Sequence, residues 1–172
     1  MNTVTKLAKN PSGATPIEAI ENFLAKLKND YPQFGFQPGA REHWSPGSRT
    51  ITYNPSQAIE DLRYGLLHEL AHAILGHSSY ESDLELVKLE SQAWHLAAKI
   101  GKKYRLNISD DSIQNCLDTY RDWLHRRSTC PKCGANGLQQ NTNTYKCLNC
   151  QAEWSVTSGS FVRAYRRQAV SS

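Results

Sequence analysis

The sequence Tyr64-Gly-Leu-Leu-His68-Glu69-Leu-Ala-His72-Ala-Ile-Leu-Gly-His77 contains the motif on which the interpretation of this chain depends. Residues four positions apart lie on one face of an α-helix, so His68 and His72 can offer two imidazole nitrogens to one metal ion. The H-E-x-x-H spacing is typical of zinc hydrolases, in which zinc lowers the pKa of a water molecule toward about 7 and a neighbouring carboxylate takes the proton. The motif therefore predicts two zinc ligands, His68 and His72, and a catalytic base, Glu69.

The residues that flank the motif indicate a partly buried site. Buried polar groups need partners, and a metal ion would be such a partner for the two histidines. The alternative interpretation is a core helix that carries two histidines without a metal. Most of the helix is apolar, through Ile59, Leu62, Leu66, Leu67, Leu70, Ala71, Ile74 and Leu75.

Length and composition favour one globular domain with a small appendage. The chain has 172 residues, of which 39% are hydrophobic and 21% are charged, as in soluble globular proteins. No apolar run approaches the roughly 20 residues that span a bilayer, so no membrane contact is expected. The first ten residues lack a hydrophobic signal segment, which predicts a cytoplasmic protein.

Turn and capping signals predict four helices before residue 126. The first is expected from Thr15, an N-cap followed by Pro16, to near Asn29. Asn54 is expected to cap the helix that carries the motif, and Gly76 to end it. Capping signals at Ser82, in a box with Glu85, and at Ser109, before two Asp residues, predict the starts of the other two helices.

The segment between the first two helices predicts a small antiparallel sheet. Residues 34–53 alternate in two places and are broken by Pro-Gly pairs, with His43 and Trp44 in the middle. The predicted fold class is therefore α+β, with about four helices and a small sheet.

A catalytic zinc ion needs a third protein ligand, and several residues downstream of the motif can supply it. His77 is close to His72 and lies beyond Gly76, so it could reach the same ion only if the chain turned sharply. Glu90 is on a helix that can run antiparallel to the motif helix. The candidates are His77, Glu81, Glu85, Glu90 and His95.

The motif helix and the helix after it together resemble the ImmA/IrrE family of zinc metallopeptidases. The resemblance lies in Leu66-Leu-His-Glu-Leu-Ala-His-Ala-Ile-Leu-Gly-His77 and Leu89-Glu-Ser-Gln-Ala-Trp-His-Leu-Ala97, and covers roughly residues 55–105. It implies that His68, His72 and Glu90 bind zinc, that Glu69 is the general base, and that the helices and the small sheet form a minimal gluzincin-like metallopeptidase core. Trp94 and Leu96 depart from the family's pattern, and no helix-turn-helix domain is visible.

Two C-x-x-C pairs predict a second zinc site. Cys130, Cys133, Cys147 and Cys150 can close a tetrahedron of four thiolates around a structural zinc ion. The arrangement resembles a zinc ribbon, in which two knuckles are carried on hairpins. Cys116 belongs to neither pair and is expected to pack as a small apolar residue.

Charge is unevenly distributed along the chain. Residues 1–125 carry 13 Lys and Arg against 15 Asp and Glu, whereas residues 126–172 carry 7 against 1, so their net charges are −2 and +6. Basic side chains interleaved with aromatic ones suit nucleic acid, especially single strands, so the ribbon and tail are predicted to contact it. Ribbons also bind proteins, which is the alternative. The residues concerned are Arg126, Arg127, Lys132, Lys146, Arg163, Arg166 and Arg167, with Tyr145, Trp154, Phe161 and Tyr165.

These observations predict a flexible lead-in at 1–14, a metallopeptidase domain at 15–126, a zinc ribbon at 127–157 and a basic tail at 158–172. The expected function is zinc-dependent hydrolysis of a protein substrate, with one catalytic and one structural zinc ion. The alternatives are a non-catalytic zinc protein whose ribbon is the working part, and a SprT-like protease acting on DNA-bound proteins. Tyr53, Tyr80 and His95 are the candidates for stabilising the oxyanion.

Overall fold

The computed structural model describes residues 16–157 and the backbone of 166–168. The predicted lead-in at 1–14, the cap at Thr15 and most of the predicted tail at 158–172 lie outside the described residues. The fold is α+β, as predicted. Its elements are α1 (Pro16–Asp30), β1 (Gly35–Pro38), β2 (His43–Ser45), β3 (Thr50–Tyr53), α2 (Ile59–Leu75), α3 (Asp83–Lys103), α4 (Asp110–Ser128), β4 (Gly137–Asn141), β5 (Thr144–Cys147), β6 (Glu153–Val156) and β7 (Arg166–Gln168).

Contacts between Cα atoms divide the chain into two compact units, with the boundary inside α3. The first unit comprises the described residues up to Ser78 together with Leu96–Leu106. The second comprises Ser79–His95 and the described residues from Asn107 onward. Within the described ranges, none of the helices combines the length and the apolar character needed to cross a membrane.

The first unit contains a three-stranded sheet in the order β1-β3-β2. The predicted antiparallel pairing holds for β2 and β3, which are joined by a tight turn at Pro46–Arg49, whereas β1 pairs with β3 in parallel. The chain forms the two edge strands, β1 and β2, before it forms the central strand β3. His43 and Trp44 therefore lie on an edge strand, and the central strand carries the fully buried Ile51.

The motif helix α2 begins at Ile59, and Ala58 is its N-cap without a side-chain hydrogen bond. The prediction that Asn54 caps this helix is wrong. Its side-chain oxygen accepts a hydrogen bond from the backbone N–H of Ser56 at 3.0 Å, which makes a separate turn before the helix. Gly76 ends the helix as predicted, in the left-handed conformation with φ of 71°.

The capping signals of α3 and α4 are confirmed. The backbone N–H of Glu85 donates to the Ser82 hydroxyl at 3.1 Å, and the Glu85 carboxylate accepts from the backbone N–H of Glu81 at 2.7 Å. The Ser109 hydroxyl accepts from the backbone N–H of Ser112 at 3.1 Å. These bonds satisfy donors that the first turn of a helix leaves without partners, so they fix where α3 and α4 start.

The second unit contains an antiparallel sheet in the order β4-β5-β6-β7. Tyr145 on β5 pairs with Trp154 on β6, and their rings stack with centroids 5.7 Å apart. Both side chains are buried, as are Cys130, Cys147 and Val156 around them. A small core with two thiol groups in it is what a ribbon-like segment can build at this size.

Candidate metal sites

The two cysteine pairs lie on turns that repeat the same backbone pattern. In the first turn, Cys130 N–H donates to the Ala135 carbonyl at 2.8 Å and Gly134 N–H donates to the Cys130 carbonyl at 3.0 Å. In the second turn, Cys147 N–H donates to the Ala152 carbonyl at 2.8 Å. Gln151 occupies the position in this turn that Gly134 occupies in the first. Backbone N–H groups also point at the sulfur atoms of Cys130 and Cys147, each at 3.4 Å.

The four sulfur atoms lie within 4.8 Å of one another, close enough to share one metal ion. Cys130 and Cys150 lie 3.6 Å apart at their Sγ atoms, and Cys133 and Cys147 lie 3.5 Å apart. All four cysteines are free thiols. Zn–S bonds of about 2.3 Å place tetrahedral sulfurs about 3.8 Å apart, so a zinc ion fits between them.

The thiolate form that binds zinc is favoured at Cys133. The backbone hydrogen bond from Ala135, and next the contact with Cys147, lower the pKa of the Cys133 thiol to about 6. Hydrogen bonds to the charged form of a group stabilise that form. These four residues could hold a zinc ion, as the sequence predicts.

The two motif histidines face each other on α2. The Nε2 atoms of His68 and His72 lie 3.1 Å apart, and the ring centroids lie 4.6 Å apart with the rings nearly perpendicular. Two nitrogens bound to one tetrahedral zinc at about 2.0–2.1 Å would lie about 3.3 Å apart. The pair therefore has the separation that a shared zinc ion requires.

Glu90 is the third of the zinc ligands predicted from the sequence. One ligand atom from each of His68, His72 and Glu90 can be chosen so that all three lie within 4.8 Å of one another. The side chain of Glu90 is only 7% exposed, and that of His68 only 6%. A buried carboxylate beside two imidazoles is a donor set that suits zinc, because the ion offsets the cost of burying the charge.

Glu69 lies one residue from His68, the first candidate ligand, and is held by the edge strand β2. The backbone N–H of Trp44 donates to Oε2 of Glu69 at 2.7 Å. Among the described residues, none donates a hydrogen bond to Oε1. The carboxylate therefore has one oxygen fixed in place and the other available.

His77 does lie close to His72, because Gly76 turns the chain sharply. The contact is between Nδ1 of His77 and Nδ1 of His72, at 2.9 Å. This is the opposite side of the His72 ring from Nε2, which faces His68. His77 therefore contacts a candidate ligand and is placed away from the candidate metal position.

Two of the remaining candidates for the third ligand, Glu85 and His95, make other contacts. Glu85 belongs to the capping box of α3 through its hydrogen bond with Glu81 N–H. His95 is exposed, and its Nδ1 lies 2.6 Å from the Ser91 carbonyl of its own helix.

Tyr80, one of the candidates for oxyanion stabilisation, is partly buried. Its burial raises the pKa of its phenol, and the nearby Asp83 carboxylate raises it further.

Sequence reasoning missed a buried ion pair in the second unit. Arg127 and Asp83 are each only 1% exposed, and the Arg127 guanidinium donates to both oxygens of the Asp83 carboxylate. Tyr145 also donates its hydroxyl hydrogen to Asp83, and Trp154 donates from Nε1 to the Arg127 carbonyl at 2.9 Å. The guanidinium stacks on Trp123 at 4.5 Å. One arginine thus joins the start of α3, the end of α4 and the ribbon-like sheet.

This pair corrects part of the predicted nucleic-acid surface. Arg127, Tyr145 and Trp154 belong to the residues predicted to contact nucleic acid, but all three are buried. Lys146 lies 3.4 Å from the Glu153 carboxylate. The side chains of Phe161, Arg163, Tyr165, Arg166 and Arg167 lie outside the described residues. Nucleic-acid binding by the ribbon and tail remains a prediction that rests on the other residues named for it.

Comparison with protein-family models, with curated proteins and with solved structures gave no match for this chain.

Proposed function

We propose that this protein is a zinc-dependent peptidase whose site consists of His68, His72, Glu90 and Glu69. The observation that carries the proposal is the approach of three ligand atoms, two imidazole nitrogens and one carboxylate oxygen, to within 4.8 Å of one another. Three protein ligands of this kind are typical of catalytic zinc sites, which keep a fourth position for water or substrate. The neighbouring carboxylate of Glu69 supports a hydrolytic role over a purely structural one.

In this proposal each residue has a distinct role. Zinc, when bound, supplies Lewis acidity and lowers the pKa of water toward about 7. Glu69 takes the proton of the attacking water and later passes it to the leaving amine, with its carboxylate oriented by the Trp44 N–H. A base oriented by a fixed backbone donor loses little freedom when the substrate binds.

Tyr80 is our candidate for stabilising the oxyanion. A phenol is protonated at neutral pH, and burial raises the pKa of Tyr80 further, so its hydroxyl can donate a hydrogen bond to developing negative charge. Tyr80 also lies within electrostatic range of the Glu90 carboxylate. Tyr53 and His95 are the alternatives, and His95 already interacts with the Ser91 carbonyl.

The four cysteines have a structural role in this proposal. Four thiolates fill a zinc tetrahedron and leave no position for water, so this site holds the fold of its segment together. We also propose that the resemblance to the ImmA/IrrE family reflects a shared peptidase site. The spacing of His68, His72 and Glu90 supports it.

The test is cleavage by wild-type protein and by Glu69→Gln. Removing the base while keeping a side chain of the same shape is expected to lower the rate about 100- to 10,000-fold, with zinc content unchanged. Cleavage products would be compared across the proteome of the native host, which requires no prior choice of substrate. Glu60→Gln, an exposed change on the same helix, is the matched control and should cleave normally.

Two outcomes would overturn the proposal. One is a wild-type protein that contains two zinc ions per chain but cleaves no protein, so that its samples and those of Glu69→Gln contain the same products. The other is equal cleavage by both proteins. The first result favours the alternative of a non-catalytic zinc protein, whereas cleavage at the same rate by both proteins would reject Glu69 as the base.

A further inference from the structure

His77 follows the motif helix directly and is brought back toward it by the turn at Gly76. The left-handed conformation of Gly76 allows the backbone N–H of His77 to donate to the His72 carbonyl at 3.0 Å. The side chains meet as well, with Nδ1 atoms 2.9 Å apart and ring centroids 4.9 Å apart. The spacing of five residues therefore places the two imidazoles in hydrogen-bond contact.

A metal ion on His72 would decide the direction of this hydrogen bond. A neutral imidazole has one N–H donor and one acceptor nitrogen. If Nε2 of His72 binds a metal ion, its proton must be on Nδ1, so His72 is the donor and His77 the acceptor. With Nδ1 as an acceptor, His77 favours the tautomer of His72 whose Nε2, on the side of His68, carries no proton.

The position of His77 is itself fixed by Trp44. The indole Nε1–H of Trp44 donates to the His77 carbonyl at 2.9 Å, and the backbone N–H of the same residue donates to the Glu69 carboxylate. Trp44 is buried at 8% exposure and packs edge to face on Phe34. One edge-strand residue therefore holds both the candidate base and the turn that carries His77.

We propose that His77 is a positioning residue that fixes the tautomer and ring orientation of the zinc ligand His72. This inference rests on the proposed function, because it requires zinc at His72. Partners that receive the second N–H of a metal-bound histidine typically change metal affinity by about 10- to 100-fold. In most zinc sites that partner is a carboxylate, a carbonyl or water, and here a second imidazole takes its place.

The test measures zinc affinity of the first site in full-length protein by competition with a chelator. His77→Leu removes the acceptor and should weaken binding about 10- to 100-fold. His77→Asn keeps an oxygen acceptor near the position of Nδ1 and should recover much of the affinity. His125→Leu, at an exposed histidine of α4, is the matched control and should bind as the wild type does.

The four-cysteine site provides an internal reference for folding in each variant. Its zinc content should remain one ion per chain in both His77 variants, so a loss confined to the first site is not general unfolding. A second readout is the nitrogen NMR spectrum of the zinc-loaded wild type, in which His72 should carry its proton on Nδ1.

Several outcomes separate this inference from the proposed function. If wild type binds two zinc ions and His77→Leu binds the first as tightly, His77 has no positioning role while the peptidase proposal stands. The same holds if His77→Asn is as weak as His77→Leu, or if His72 is protonated on Nε2. If wild type binds only the cysteine-held zinc, the proposed function fails and this inference fails with it.

Discussion

The two candidate metal sites are built in different ways, although their ligands span similar lengths of chain. The cysteine site is made by two short turns, each closed by its own backbone hydrogen bonds, and one of its ligands, Cys133, is exposed. The site at His68 and His72 depends on helix periodicity, on burial and on groups from elsewhere in the sequence, such as the Trp44 N–H on Glu69. Local turns shape each half of the first site, whereas the second depends on packing between residues far apart in the sequence.

The largest expected effect is the loss of one cysteine ligand. Cys147→Ala should remove the structural zinc and unfold the segment from Cys130 to Val156, because zinc binding at such sites is worth about 10–16 kcal/mol. Limited proteolysis and zinc content measure the change. Cys116→Ala is the matched control, since that thiol lies outside the cluster, and it should retain both zinc ions. A protease-resistant Cys147→Ala protein would show that the segment folds without metal.

The next largest effect concerns the ion pair between Arg127 and Asp83. Arg127→Met should lower the free energy of unfolding by about 3–5 kcal/mol, because it leaves a buried carboxylate without its counter-charge. Urea denaturation monitored by tryptophan fluorescence measures this difference. Arg126→Met, at the exposed neighbouring position, should stay within about 0.5 kcal/mol of wild type. Equal effects of the two substitutions would contradict the buried position of Arg127.

A smaller effect is expected at the equivalent positions of the two cysteine turns. Gly134 has φ of 75° and Gln151 has φ of 60°, so both require the left-handed conformation. A side chain at Gly134 would meet open space, and Gly134→Gln should therefore cost only the conformational penalty of about 1–2 kcal/mol. Gln151→Gly should relieve a similar strain. Thermal unfolding of the zinc-loaded protein measures both, and changes of the same sign would contradict the equivalence of the turns.

The smallest expected effect on stability is that of Trp44→Phe. This change keeps an aromatic ring against Phe34 but removes the hydrogen bond to the His77 carbonyl, which is worth about 0.5–1.5 kcal/mol. Zinc affinity should fall at the histidine site and stay unchanged at the cysteine site. Chelator competition would measure both sites in one titration, and an equal loss at both would contradict the difference between the two regions.

Features that depend on short-range chemistry were predicted from the sequence. The capping residues Ser82 and Ser109, the end of α2 at Gly76 and the approach of the four cysteines all follow from local hydrogen bonding or ligand spacing. Glu90 entered the predicted site through the resemblance. Its position on the buried stripe of α3, between Leu86 and Ala93, was an independent signal for a functional carboxylate.

Features that depend on tertiary packing were not predicted. Arg127 follows Trp123 at helical spacing on the buried stripe of α4, but its charge suggested a surface position. Its burial depends on Asp83, which is 44 residues away in sequence, and no local pattern reveals that pairing. The parallel pairing of β1 with β3 likewise depends on which strand takes the centre of the sheet. The turn at Asn54 shows that a capping residue can also satisfy a neighbouring backbone group outside a helix.

The central claim, that His68, His72 and Glu90 hold a zinc ion separate from the cysteine-held one, is tested most directly by zinc stoichiometry. Zinc per chain would be measured in wild type, in Glu90→Ala and in Glu85→Ala, whose carboxylate caps the same helix without belonging to the site. We expect two zinc ions in wild type and in Glu85→Ala, and one in Glu90→Ala. Two ions in Glu90→Ala, or one in wild type, would contradict the claim.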